Sequence, residues 1–375
     1  MNFEKITNYL NSLEAEGIPS IDCMIYKDHE LVYRHFNGFA DSAKTKRMKG
    51  NELYLMFSAT KLITMTAALQ LAEKNKLDLD KPVSDYLPAY SNLKVQEENQ
   101  VVSAQKVLLV RHLLSMQSGL NYDLERPGIL RVLREKGQQA STQELVNSLI
   151  ETPLKFEPGE HFEYSLSHDV VGAIIEVVSG MSLGEYFSEN IFKPLEMKDT
   201  FFAKPMNENE RLATQYTYDD EKHVASEMEM SCCYQLSESY ESGGAGLISC
   251  VEDYGKFADT LACGGVSAKG IRILKEDTID LMRTNMLGEV QRDELAKNMG
   301  RVGYGYGCGV QMLMEPEKCG AKAPVGIFGW DGAAGALVIM DPINHISLAY
   351  AQHVRGCGYG YSTVHPMLRD LLYID

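Results

Sequence analysis

Apolar residues recur along this chain with two different periods, and the changes of period outline an architecture. Phe3, Ile6, Leu10 and Leu13 return at helical spacing, and Gly17 stops the helix they predict. "IPSIDCMIY" and "ELVYRHFNG" then read as two strands around a turn at Lys27 to His29. From Lys61 onward, "KLITMTAALQL" is apolar on most sides, which predicts a helix that buries most of its surface. "NKLDLDKPVSDYLPAY" is its polar, proline-bearing exit. Helical patterns and loops alternate from about residue 106 to 200. The clearest helix is "HDVVGAIIEVVSG", with Val170, Ile174, Val177 and Val178 on one side. After the glycine-rich "ESGGAGLIS", Ser249 and Glu252 predict a capping box ahead of "DYGKFADTLA". Strand patterns return in "VGIFGW", "GALVIMD" and "HISLAYAQ", the last two joined by a turn at Asp341 to Asn344. A helix around Val364 to Leu372 closes the chain.

Strands at both ends and helices between them predict one sheet built from both termini, with a helical insertion. That is a layered α+β or α/β fold rather than a run of βαβ units. With 375 residues, the chain is long enough for two lobes or one large interleaved fold.

Charge and composition narrow the function. Lysine and arginine number 36 against 52 acidic residues, a formal charge of −16. Nucleic-acid binding needs a basic footprint, so that partner is not expected. The N-terminus shows no basic and apolar export pattern, and no apolar run reaches the length of a membrane span. A cytoplasmic protein without a membrane partner is the expectation. Eight cysteines without a Cys-x-x-Cys pair fit free thiols in a reducing compartment. His161 and His168 stand seven apart, and no clustered Cys/His set appears, so no metal and no cofactor are expected. "GYGYGCG" lacks the lysine and the βαβ context of a phosphate loop and reads as a closely packed strand. No Gly-x-Ser-x-Gly elbow is present.

One pattern carries chemistry. In "LMFSATKLITMTAALQL", Ser58 and Lys61 stand three apart at the front of the apolar helix. Residues at that spacing share a helix face. The positive end of the helix dipole favours a negative charge developing on the serine. An unionised lysine can take the serine's proton, and burial lowers a lysine's pKa toward that form. A plain helix cap is the competing reading, since serine is a good N-cap. Ser91 with Lys94 and Ser103 with Lys106 match the same spacing, but in polar stretches with no apolar helix behind them.

The longer segment "LMFSATKLITMTAALQLAEKNKLDLDKPVSDYLP" resembles the serine β-lactamase and penicillin-binding-protein superfamily, in its class C-like branch that includes the family VIII esterases. "VRHLLSMQSGL", "FEPGEHFEYSLSHDVVGAIIEVVSG", "FKPLEMKDT", "GGAGLISCVEDYGKFA" and "FGWDGAAGALVIMDP" extend the resemblance in order over nearly the whole chain. It implies a single catalytic domain over 1–375, with a sheet lobe from 1–60 and 240–375, a mostly helical lobe from 61–239, and a cleft between them. It places the family's nucleophile on Ser58 and its lysine on Lys61. Its catalytic tyrosine, the first residue of a Tyr-x-Asn motif, falls on Tyr164. Either Lys61 or a Tyr164 phenolate lowered by the neighbouring ammonium would serve as base. The third motif falls on Trp330, Asp331 and Gly332, and the backbone N–H of Ala333 would join that of Ser58 as the oxyanion hole.

Two positions depart from the family pattern. Leu166 stands where the motif has asparagine, and Trp330 where lactamases and peptidases often carry a cationic or protonatable residue. Both changes disfavour a β-lactam or D-Ala-D-Ala peptide and favour an apolar acyl or alcohol group in a cleft lined by Leu166, Trp330, Asp331 and Gly332. The expectation is a serine hydrolase that forms an acyl-enzyme on a small ester. The alternatives are a β-lactamase or D-amino-acid peptidase, an acyltransferase, and a non-catalytic binding protein that keeps the cleft.

Overall fold

The computed structural model describes residues 1–202 and 209–374. Its centre is a seven-stranded antiparallel sheet assembled from both ends of the chain. The N-terminal part supplies β1 (Ser20–Lys27) and β2 (Glu30–Gly38). The C-terminal part supplies β3 (Tyr304–Tyr306), β4 (Gln311–Leu313), β5 (Phe328–Asp331), β6 (Leu337–Asp341) and β7 (Ile346–Ala351). The order across the sheet is β3-β4-β5-β6-β7-β1-β2. The two termini meet where β1 pairs with β7, Asp22 opposite Ala351 and Lys27 opposite Ile346.

Both faces of this sheet are covered, which is why β1, β6 and β7 read as continuous apolar runs rather than alternating ones. Helix α1 (Phe3–Ser12) and the C-terminal helix α5 (His365–Leu371) pack on one face, against Ile21, Cys23, Ile25, Ile339, Leu348 and Tyr350. Helix α4 (Val251–Ala262) covers the other face through Tyr254, Phe257, Ala258 and Leu261, together with Met24, Val338 and Ala349. Beyond that second face lies a large helical core around α2 (Thr60–Glu73) and α3 (Ser167–Ser179). Every residue of α2 from Thr60 to Leu71 is buried, as the all-round apolar pattern predicts. No single helix among the described residues is long and apolar enough to cross a membrane.

Two local expectations fail. Val177 is 49% exposed, and α3 buries Val170, Val171, Ala173, Ile174 and Ile175 instead, because the helix is covered on a broader arc nearer its start. The capping box at Ser249 and Glu252 does not form. Ser249 ends a short strand, Leu247–Ser249, and its hydroxyl hydrogen-bonds the Thr200 hydroxyl at 2.7 Å. Cys250 takes the N-cap position without a side-chain cap, and Glu252 pairs with Lys256 at 2.8 Å.

Candidate active site

Ser58 lies in a 3₁₀ turn, Phe57–Ala59, that leads directly into α2. Phe57 stands at φ +44°, a left-handed conformation that costs a non-glycine residue on the order of 1 kcal/mol or more. Its fully buried ring holds the turn, packed edge-on to Tyr234 at 6.1 Å with the Arg355 guanidinium 5.3 Å from its centre. The strained turn leaves Ser58 half-buried at the head of a helix that is otherwise enclosed.

Lys61 is fully buried, and its amine has three polar neighbours. Nζ lies 3.1 Å from Ser58 Oγ, 2.8 Å from the Tyr122 hydroxyl and 2.7 Å from the Gly244 carbonyl. Burial pushes the Lys61 ammonium down to about 7, against the opposing pull of Asp169 and Asp331. At neutral pH a large share of the amine is therefore unprotonated. The Gly244 carbonyl can accept only an N–H, so the lone pair of the neutral amine faces one of the two hydroxyls. A base at 3.1 Å from Ser58 is within proton-transfer reach.

The Tyr164 hydroxyl accepts from the Trp330 indole N–H at 2.9 Å and lies close enough to Ser58 to feel its hydroxyl. Its ring stacks between those of Tyr122 and Trp330 at 5.5 and 5.6 Å, with Lys61 Nζ 4.7 Å from the ring centre. Burial raises the phenol well above its ordinary value, and the hydrogen bonds from Ser58 and Trp330 offset that only in part. The expectation of a phenolate lowered by a neighbouring ammonium is therefore corrected: burial is the largest influence on the phenol, and it depresses the charge of Lys61 as well.

The third motif approaches Ser58 as backbone. A Cβ on Gly332 would lie 2.2 Å from the Met56 carbonyl, so only glycine lets β5 come this close to the Ser58 turn. Ala333 follows, part-buried in the cluster that holds Phe57 and Tyr234. The cleft lining is another matter. Leu166, Trp330 and Asp331 are 2%, 1% and 7% exposed, so they back the site rather than face a substrate. Leu166 belongs to the helical core at the N-cap of α3. Asp331 is consumed by an ion pair with Arg301 and lies 3.7 Å from His365 Nδ1. Half-buried Tyr122, Tyr164 and Tyr234 form the exposed lining beside Ser58.

Sequence reasoning missed Tyr122, Gly244 and Asp169. Gly244 is glycine because a Cβ there would lie 2.5 Å from Asp169 Oδ2 and 3.3 Å from the Tyr122 hydroxyl. Buried Asp169 accepts from Tyr240 at 2.8 Å, from Ser242 at 2.6 Å and from the Gly244 N–H at 3.3 Å, which fixes the loop whose carbonyl meets Lys61. The glycine run and an acid inside an apolar helix were signals for this; Tyr122 had none. The competing Ser-x-x-Lys pairs are surface features: Ser91, Lys94, Ser103 and Lys106 are all exposed. His161 pairs with Glu294 at 2.6 Å, and His168 is buried 3.2 Å from the Leu114 carbonyl.

A serine at the mouth of a buried helix, a lysine one turn on, and a tyrosine and a glycine strand closing on both define a class: serine hydrolases whose nucleophile and lysine share one helix. The chain belongs to the β-lactamase family, whose model matches residues 6–356. Esterase EstB of Burkholderia gladioli is 26% identical over 355 residues, covering 88% of this chain and 84% of that protein. A putative D-alanyl-D-alanine carboxypeptidase of Escherichia coli K12 is 25% identical over 358 residues, covering 88% and 77%. The solved structure of EstCE1, described as a hydrolase with promiscuous acyltransferase activity, superposes with a TM-score of 0.80 at 24% identity, covering 99% and 98%, and shows the shared fold.

Proposed function

We propose that this serine hydrolase is a carboxylesterase acting on small or apolar acyl esters through an acyl-enzyme on Ser58. The neutral Lys61 amine takes the Ser58 proton as Oγ attacks the ester carbonyl. The Ser58 and Ala333 N–H groups receive the oxyanion. The C–O bond to the alcohol breaks, and the departing alkoxide takes the Tyr164 phenol proton, which the Lys61 ammonium replaces. Water then attacks the acyl group by the same steps in reverse: Tyr164 passes its proton to Lys61 and takes one from the water, and the Lys61 ammonium protonates the departing Ser58 Oγ.

The observation that carries the ester reading is the Trp330 N–H donated to Tyr164 at 2.9 Å. Where the family resemblance implies a cationic or protonatable residue that helps seat a substrate carboxylate, this chain has a neutral indole buried behind the site. The similarity to EstB supports the same choice. The experiment compares kcat/KM for p-nitrophenyl butyrate and a chromogenic cephalosporin. Faster cephalosporin turnover would replace this reading with a β-lactamase. Acyl transfer to an added alcohol, outrunning hydrolysis, would replace it with an acyltransferase.

A further inference from the structure

Far along the chain from the Ser58 cluster, three side chains with metal-binding chemistry converge across 230 residues. His29 sits at the tip of the β1–β2 hairpin, and Asp259 and Cys263 lie at the end of α4. His29 Nδ1 is 2.7 Å from Asp259 Oδ2, and Cys263 Sγ is 3.7 Å from Asp259 Oδ1. One ligand atom from each lies within 4.8 Å of the other two. We infer that His29, Asp259 and Cys263 bind one divalent transition ion of the zinc or cobalt type, clamping the hairpin tip to α4.

The donor set selects that class. An imidazole, a carboxylate and a thiol suit borderline-soft ions and suit magnesium or calcium poorly. Tetrahedral bonds of about 2.0 Å to N and O and about 2.3 Å to S need only small movements from these separations. His29 is half-buried, which leaves a side open for water as the fourth ligand. No lysine or arginine among the described residues pairs with any of the three.

Burial, then Asp259, and to a lesser degree Asp28, push the Cys263 thiol up to about 12. A divalent ion reverses both effects, because it stabilises the thiolate directly and neutralises the carboxylate. Binding exchanges the thiol proton for the ion and releases that proton to the buffer. The turn also holds His29 at φ +68° and Asp28 at φ +50°, where Asn-Gly is the low-strain choice. That conformation aims the His29 ring at Asp259.

The test uses untagged, EDTA-treated, reduced full-length protein titrated with cobalt(II). One equivalent should bind with a thiolate-to-cobalt charge-transfer band, and zinc should displace it. Cys263→Ser should lose the band, and His29→Ala or Asp259→Asn should weaken binding by about tenfold or more. Cys233→Ser, which removes the exposed thiol, should leave it unchanged. A second measurement needs no variant: zinc should slow iodoacetamide labelling of Cys263 by about tenfold, read by peptide mass spectrometry. No band in the parent protein, a band retained in Cys263→Ser, or unprotected labelling would each overturn the site.

Discussion

Replacing Lys61 by methionine separates what the lysine does for chemistry from what its burial costs the fold. The folded pKa of about 7 lies 3.5 units below the ordinary 10.5. At about 1.4 kcal/mol per unit, holding the lysine charged in this site costs the folded state on the order of 5 kcal/mol. The folded state binds fewer protons than the unfolded chain between these two values, so stability rises with pH across that window. The cost is fully present below pH 7 and is relieved as pH rises toward 10.5; by linkage about 2 kcal/mol of it disappears between pH 7 and 9. Lys61→Met removes the cost but leaves the Gly244 carbonyl without its donor, a loss of about 1–3 kcal/mol that does not depend on pH. The variant should therefore be more stable than the parent at pH 6 to 7, and its advantage should shrink by about 2 kcal/mol by pH 9. Urea unfolding of both proteins across that range measures the difference, because most other titrations cancel. In parallel, kcat/KM of the parent should climb with an apparent pKa near 7, while the variant is inactive. A stability difference that stays constant with pH, or a flat kcat/KM profile, would show that Lys61 keeps an ordinary pKa and would remove it as the neutral base.

Ser58→Ala should abolish stoichiometric labelling by a fluorophosphonate while leaving the circular dichroism unchanged; labelling that persists in the variant, by intact-mass measurement, would move the nucleophile elsewhere. Tyr164→Phe and Lys61→Ala should each lower kcat by orders of magnitude, and the double variant should be little worse than either, because members of one proton-transfer unit act together. Tyr122→Phe should shift the lower limb of the pH profile with a smaller loss of kcat, since its hydroxyl touches Lys61 rather than the leaving group. Leu166→Asn should lower the urea midpoint by an amount equivalent to about 1–3 kcal/mol, because the amide enters an apolar core; unchanged stability would mean that the side chain reaches the cleft after all.

Long periodic segments were legible because tertiary packing reinforced their pattern. The apolar runs at the two ends became neighbouring strands, and the helix that is apolar all round became the enclosed α2. Ser58, Lys61 and Tyr164 were legible because short motifs carry them, and the structure brings all three together. The failures have a common cause, which is partners remote in sequence. Ser249 looked like a cap until Thr200, 49 residues earlier, took its hydroxyl. Leu166 and Asp331 looked like cleft residues until the core took one and Arg301 the other. Tyr122 and Gly244 reach Lys61 from loops 61 and 183 residues away. The His29, Asp259 and Cys263 cluster was invisible for the same reason, since no spacing rule spans a hairpin and a helix so far apart.

The tryptophan at position 330 changes two properties of the site through one substitution. The cationic or protonatable residue that the family resemblance implies there would help seat a substrate carboxylate and would also draw the neighbouring phenol toward its ionised form. The indole does neither. Its N–H occupies an acceptor position of the Tyr164 oxygen at 2.9 Å, and its ring stacks on the phenol. With burial holding Tyr164 above its ordinary pKa and Lys61 near 7, the two groups are driven in opposite directions. The lysine becomes the group able to accept a proton at neutral pH, and the tyrosine the group that holds one. Pairs of titratable groups separated in this way sort into base and acid. An alkoxide leaving group needs that proton, so the division of labour suits ester cleavage. On the proposed ester reading, the residue that would weaken recognition of a β-lactam carboxylate is thus the same one that keeps the tyrosine protonated for a departing alcohol.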